Sequence, residues 1–270
     1  MKRVIAVISA VCMLGCASVY AEGENIFFKD YKEEIAARVA EIIETSNGLN
    51  EELDRIEALD TEYDSIILHK AETQSEMNSS SYIPYQIWDT ELNSLWGRLE
   101  KALGEGQMQA VRDDEVNWIS IKDKVAEEAL ISFEGGSMYP MMLNGEKSRI
   151  TRNRAYHIAS LLAEASGEAF ELPAHDIVGT YVDNQGTDSV YSSLIISQNM
   201  ENDYTASLTI FRLMSEEGTV TENGDGLLFN DEESGLTGKI TFGWDGAVFT
   251  VTSASGPLNE GEVFEFPMVL

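Results

Sequence analysis

Ile87-Trp88-Asp89-Thr90-Glu91-Leu92-Asn93-Ser94-Leu95-Trp96 decides the architecture of the first half of the chain. Ile87, Trp88, Leu92, Leu95 and Trp96, followed by Leu99 and Leu103, recur every three to four residues. That period places two tryptophans and five aliphatic residues on one face of a helix. Pro84 suits the first turn of this helix, and Gly104-Glu105-Gly106 breaks it.

Helical periodicity extends in both directions. Upstream, Ile35, Val39, Ile42 and Ile43 mark a helix that begins near Tyr31 and stops at Asn47-Gly48. Leu49, Leu53, Ile56, Tyr63 and Ile67 form a near-heptad stripe on a second helix, with Leu59 and Ile66 beside it. The short connection predicts an antiparallel pair. The second helix fades into the polar stretch 72–81. Downstream, Val111, Val116, Ile119, Ala126, Ala129, Leu130 and Phe133 predict the inward face of a helix over about 107–133. A loop, Gly135-Gly136-Ser137-Met138-Tyr139-Pro140, leads to a last helix over about 146–166 with Ile150, Ile158, Leu161 and Leu162 inward.

After Gly167 the period changes from 3.6 to 2. Strands are predicted near 177–182, 189–197, 203–211, 217–221, 226–230, 236–242, 246–253 and 262–269, separated by Asn-, Asp- and Gly-rich turns. Eight hairpin-linked strands imply a small meander barrel or a two-sheet sandwich. The fold class is α+β multidomain: a helical bundle over 22–166, a linker over 167–176 and an antiparallel β-barrel or sandwich over 177–270.

Residues 1–21 read as an export signal, with Lys2-Arg3 ahead of the apolar run Val4–Leu14. Val19-Tyr20-Ala21 fits ordinary cleavage. Met13-Leu14-Gly15-Cys16 offers the alternative of a lipid anchor on Cys16, the one route by which membrane attachment is expected. The chain's two cysteines, Cys12 and Cys16, both lie in this segment, so packing rather than disulfides must hold the exported protein together.

Charge narrows the partners. Eighteen Lys and Arg stand against 47 Asp and Glu, a net −29. Phosphate backbones need cationic contacts, which disfavours nucleic acid. A basic protein would be steered in by such a field.

Five short pieces carry a family signature: Thr73-Gln74-x-Glu76-Met77-Asn78, Asp89-x-x-Leu92-Asn93, Trp118-Ile119-x-x-Lys122-Asp123, Gly135-Gly136-Ser137 and Thr151-x-x-Arg154. In this order and spacing, residues 72–163 resemble the LprI-type lysozyme-inhibitor domain, a helical module of exported bacterial proteins. The resemblance implies a binding or inhibitory role, with a lysozyme-type muramidase or another basic protein as partner. It also implies that Gln74, Met77, Asn78, Asp89, Leu92, Asn93, Trp118, Asp123, Thr151 and Arg154 are the structural signature. The family's cysteines are replaced here by the regions Ser79-Ser80-Ser81, Ala126 and Glu146-Lys147, and Glu115 stands where a Gln is usual. The β part resembles no family.

Physical reading of the same residues is independent of the family. Asn78, Asn93 and Arg154 lie beside apolar stripes and are expected to make internal hydrogen bonds, with Asp89 or Asp123 as counter-ion to Arg154. Gly135, Gly136, Ser137, Met138 and Tyr139, with Met141 and Met142, form a contact surface if exposed, or fold back onto the bundle. His69, His157 and His175 show no metal-ligand spacing. The oxygen-rich loops 183–188 and 222–225 fit turn chemistry as well as calcium. No nucleophile motif or phosphate loop occurs, and no cofactor is expected. Ser253-Ala254-Ser255-Gly256 reads as an ordinary turn. The function expected is a secreted or lipid-anchored envelope binding protein, not an enzyme. An envelope scaffold or small-ligand carrier using the β part is the alternative, and a glycoside hydrolase a more distant one.

Overall fold

The computed structural model describes residues 25–187, 189–199, 201–224 and 226–270. Residues 1–21, expected to be an export signal, with Cys16 among them, and Asp188 and Asp225 lie outside the described residues.

Six α-helices come first: α1 (Lys32–Thr45), α2 (Leu49–Ile66), α3 (Gln74–Ser80), α4 (Tyr82–Ala102), α5 (Glu105–Ala129) and α6 (Tyr139–Ser166). α4 is the central element, packed against α1, α2 and most extensively α6. Trp88 is its fixed point. The ring is fully buried, and its Nε1 donates to Asp60 Oδ2 of α2 at 2.9 Å. Burial of a tryptophan at ~25 cal/mol per Å² contributes roughly 4–6 kcal/mol, provided its N–H finds a partner, as it does here.

Three sequence expectations need correction. The polar stretch 72–81 contains a helix, α3, because Thr73 and Glu76 form a reciprocal capping box at its start. The last helix starts at Tyr139, not near Glu146, with Pro140 in its first turn; Tyr139, Met141 and Met142 are therefore helical and half-buried. In α5 the inward stripe is Met108, Trp118, Ile121, Val125 and Ala126. Val116 and Ile119, expected inward, are 64% and 54% exposed, and Phe133 is exposed as well.

A buried charge network braces α2 against α4. Glu52 and Glu91 are both buried, and Arg98 binds Glu52 through both terminal nitrogens and Glu91 Oε1 at 3.2 Å. Burial pushes the Glu91 carboxyl far above its ordinary 4.5, the neighbouring Glu52 adds to the shift, and Arg98 only partly opposes it. The folded chain therefore keeps a proton that the unfolded chain releases above about pH 4.5. This contribution to stability is present at acid pH and is lost as pH rises through the raised folded value. Glu91→Gln is thus expected to raise unfolding stability at pH 7 by about 1–3 kcal/mol and to change it little at pH 4. Urea unfolding at the two pH values measures this.

Nine strands follow: β1 (Gly179–Thr187), β2 (Val190–Gln198), β3 (Tyr204–Ile210), β4 (Met214–Asn223), β5 (Gly226–Asn230), β6 (Thr237–Gly243), β7 (Gly246–Ser253), β8 (Val263–Phe266) and β9 (Met268–Val269). They form one antiparallel meander in the order β8-β7-β6-β5-β4-β3-β2-β1-β9. The two-sheet sandwich is therefore set aside in favour of a nearly closed barrel. The single last strand expected over 262–269 is split by Pro267, which has no N–H to donate. Before it, β8 pairs with β7; after it, β9 pairs with β1, joining the two edges.

Side chains occupy the barrel interior. Leu194, Ile196, Leu208, Leu227, Phe229, Ile240, Phe249 and Phe266 form its core, with Phe229 and Phe249 meeting edge to face at 5.5 Å. Gly218 and Gly238 stand in the wall where these rings press: a Cβ would meet the Phe229 ring at 2.7 Å in the first case and overlap the Phe249 ring in the second. An interior filled in this way argues against ligand carriage through the barrel core. Of the stretch Ser253–Gly256, Ser253 ends β7, and the turn runs on to Leu258, whose N donates to Ser255 O at 3.1 Å, while Ser255 Oγ donates to Ser234 O at 2.7 Å.

Bundle and barrel share a seam. Val182, Tyr191 and Leu270 of the β part belong to the helical core. Arg149 donates to Leu270 O at 2.9 Å and to Thr180 Oγ1 at 3.0 Å, and Asn153 donates to Leu270 O at 3.2 Å. An aromatic series runs across the seam from Trp88 through Tyr156 to Trp244, with centroid separations of 6.0 and 5.7 Å. Trp244 in turn lies 4.9 Å from His175 and donates its Nε1 to Pro173 O at 2.8 Å. The 167–176 stretch is strapped down: Phe170 and Leu172 pack on the helical core, and Glu168 accepts from Leu49 N at 2.6 Å.

Candidate functional site

Between α4 and α5 lies a groove of about 500 Å³. Its origin is the way α5 is carried. α5 follows α4 after a two-residue break, yet it is anchored mainly to α6 and β1, so a trough stays open between the two consecutive helices. Tyr85, Asp89, Leu92, Asn93 and Trp96 line it from α4; Arg112, Glu115, Val116, Trp118, Ile119 and Lys122 line it from α5; Thr151 reaches it from α6.

The anchor of α5 is Arg154. Its side chain is almost wholly buried, with Nε on Glu115 Oε2 at 2.8 Å and Nη2 on Asp114 Oδ2 at 2.6 Å. The guanidinium lies 5.5 Å from the centre of the Trp118 ring. The counter-ions of Arg154 are thus Asp114 and Glu115, not Asp89 or Asp123. Adjacent acids at 114 and 115 are a local pattern that names them only once the neighbouring helix is known to carry a buried Arg. Asp123 instead links α5 to α6, with Lys147 Nζ at 3.1 Å and Lys122 Nζ at 3.2 Å. Burial pushes its carboxyl up, but these two lysines outweigh burial and hold it below the ordinary value.

Asn78 performs a different task. Its Nδ2 donates to Ser137 O at 3.0 Å, and its Oδ1 accepts from Gln74 Nε2 at 2.9 Å. Gln74, Asn78 and the Gly135-Gly136-Ser137 loop therefore meet, and Gly135 turns that loop with φ of +76°. Asn78→Ala is expected to cost about 1 kcal/mol and to speed amide exchange through residues 134–138, leaving α4 exchange unchanged. Met77 is half-buried; Met138 is exposed at the loop end, beside exposed Gly135, Gly136 and Ser137. Asn93 bonds within its own helix, to Asp89 O at 2.6 Å, and is exposed on the groove. Thr151 is buried, with Oγ1 on Lys147 O at 2.7 Å.

Five signature residues, Asp89, Leu92, Asn93, Trp118 and Thr151, thus share one groove, while Gln74, Asn78 and Ser137 tie the end of the bundle. Residues 68–158 match the family described as lysozyme inhibitor LprI. The match covers roughly a third of the chain and contains the helices α3, α4 and α5 and most of α6. A Rhizobium meliloti (strain 1021) protein described as uncharacterized is 28% identical over 109 residues, covering 36% of this chain and 78% of its own length. No solved structure matches. The groove floor therefore lies within the LprI-matched segment.

The rest of the groove wall was not legible as a site. Arg112, Tyr85 and Trp96 carry no motif of their own. The available signal was that α5 has two apolar phases, Met108/Trp118/Ile121/Val125 and Val116/Ile119, which one buried face cannot satisfy. Among the described residues no group of three or more His, Cys, Asp and Glu is placed to hold a metal ion. No described helix is long and apolar enough to cross a membrane.

Proposed function

We propose that this chain is an exported cell-envelope binding protein, secreted or lipid-anchored, whose LprI-like segment engages a lysozyme-type muramidase or another basic protein. The observation that carries this reading is the convergence of Asp89, Leu92, Asn93, Trp118 and Thr151, all within the LprI-matched segment, on one open groove. The net charge of −29 supports a basic partner, since opposite fields raise encounter rates. The filled barrel supports a structural role for the β part, as the body on which α5 and α6 are mounted.

The test is titration of the purified protein into a lysozyme turnover assay at low and moderate salt. Progressive loss of turnover, weaker at moderate salt, is the expected result. Full turnover at both, with no complex detectable by sedimentation, overturns the muramidase reading.

A further inference from the structure

Most charged groups around the α4–α5 groove are matched. Arg112 pairs with Glu100 at 3.2 Å, Glu115 with Arg154 at 2.7 Å and Lys122 with Asp123 at 3.2 Å. Asp89 is the exception. Its half-buried carboxylate accepts no hydrogen bond among the described residues, and Lys122 and Lys32 act on it only through their charge. Burial consequently pushes the Asp89 carboxyl up, and the two lysines offset this only in part. Asp89 also helps raise the Tyr85 phenol, secondary to burial.

Around this acid stand the aromatic side chains of Tyr85, Trp96 and Trp118, with Val116 and Ile119 exposed on the outer lip. The site already tolerates cations against an indole: Lys122 Nζ lies 5.6 Å and the Arg154 guanidinium 5.5 Å from the Trp118 ring centre. A carboxylate without a direct partner, in a groove lined by aromatic side chains, is matched by an ammonium or guanidinium. The methylene stem of such a side chain, and an apolar neighbour in its own sequence, would cover Val116 and Ile119.

We infer that the α4–α5 groove is a socket for a lysine or arginine side chain on an apolar surface segment of a basic protein, with Asp89 as its counter-ion. This rests on the proposed binding function and assigns it to a particular acid. The chain's negative field brings the partner in; the socket fixes where it docks.

The experiment uses the full chain with two probes, egg-white lysozyme and cytochrome c, the second a basic protein that is not a muramidase. Affinity is measured at low and moderate salt for wild type, Asp89→Asn, Trp96→Ala and, as a charge control, Glu232→Gln in an exposed barrel turn. Asp89→Asn and Trp96→Ala are expected to weaken lysozyme binding by at least about tenfold, and Glu232→Gln by less than about twofold. Asp89→Asn should leave thermal stability equal or higher, because it removes an unsatisfied charge; that separates a docking role from a structural one. If lysozyme binds wild type and Asp89→Asn equally, the socket is overturned while the binding function stands. Asp89-dependent binding of cytochrome c without lysozyme supports the socket and overturns the muramidase reading. Binding of neither probe overturns both.

Discussion

Gly238→Ala is expected to destabilise the protein by about 2–3 kcal/mol and to lower its melting temperature by roughly 5–10 °C. The new methyl group would overlap the Phe249 ring, which is fully buried and held in turn by Phe229. Neither ring has room to retreat in a filled barrel, so the wall must bulge or the ring must leave its rotamer. Two controls give the prediction its edge. Gly243→Ala, at the far end of the same strand, meets nothing within 4 Å and should shift the melting temperature by little. Phe249→Leu should restore part of the loss when combined with Gly238→Ala, although it destabilises alone. An absence of this coupling in a double-mutant cycle would show that the barrel interior is looser than its packing indicates.

Arg154→Met is expected to cost about 3–5 kcal/mol, because removing one partner of a buried pair strands the other. The loss falls on Glu115, whose side chain is only 13% exposed, more than on Asp114, which reaches water. Adding Glu115→Gln should recover a substantial part. The same substitution should release α5. The other ion pair from α5 to α6, Asp123 with Lys147, is solvated and worth at most about 1 kcal/mol, too little to replace Arg154. Amide exchange of α5 should therefore rise selectively, while α4 around Trp88 keeps its protection. Equal protection of α5 in the variant would show that its packing on β1 and α6, not Arg154, is the tether.

Element type was legible wherever one period dominated. α1, α2 and α4 each bury a single stripe, and the β half alternates with a period of 2 between clear turns, so helices and strands could be read before any contact was known. Reading failed where two levels compete. α3 is too polar and too short to show a stripe; its capping box, a local hydrogen-bond device, makes it helical. In α5 two apolar phases occur together, and periodicity cannot say which one faces inward. Arg154 settles it, by seizing Asp114 and Glu115 and turning Trp118 toward α6 with Val116 and Ile119 outward. The groove was illegible for the same reason: it is a gap between neighbouring helices, set by where the anchor lies. The signature residues were identifiable by spacing, but their division into groove residues and a loop clasp at Asn78 required the third dimension.

The Leu270 contacts have a kinetic consequence. β9 reaches back almost ninety positions to pair with β1, and the Leu270 carbonyl is seized by Arg149 across 121 positions of chain. Contacts between such distant residues carry a loop-closure entropy that must be met before they return any energy. A chain emerging from its N-terminus can assemble Trp88 and its surrounding helices earlier, since those neighbours, Asp60 to Tyr156, are nearer to it in sequence than β9 is to β1. The barrel cannot shut until its last residues arrive. Refolding should therefore be biphasic, with helical signal recovered first and the tertiary signal of Trp244 later. During that interval the edges of β1 and β7 stand unpaired, which makes the delay, more than the finished fold, the point at which this protein is open to aggregation.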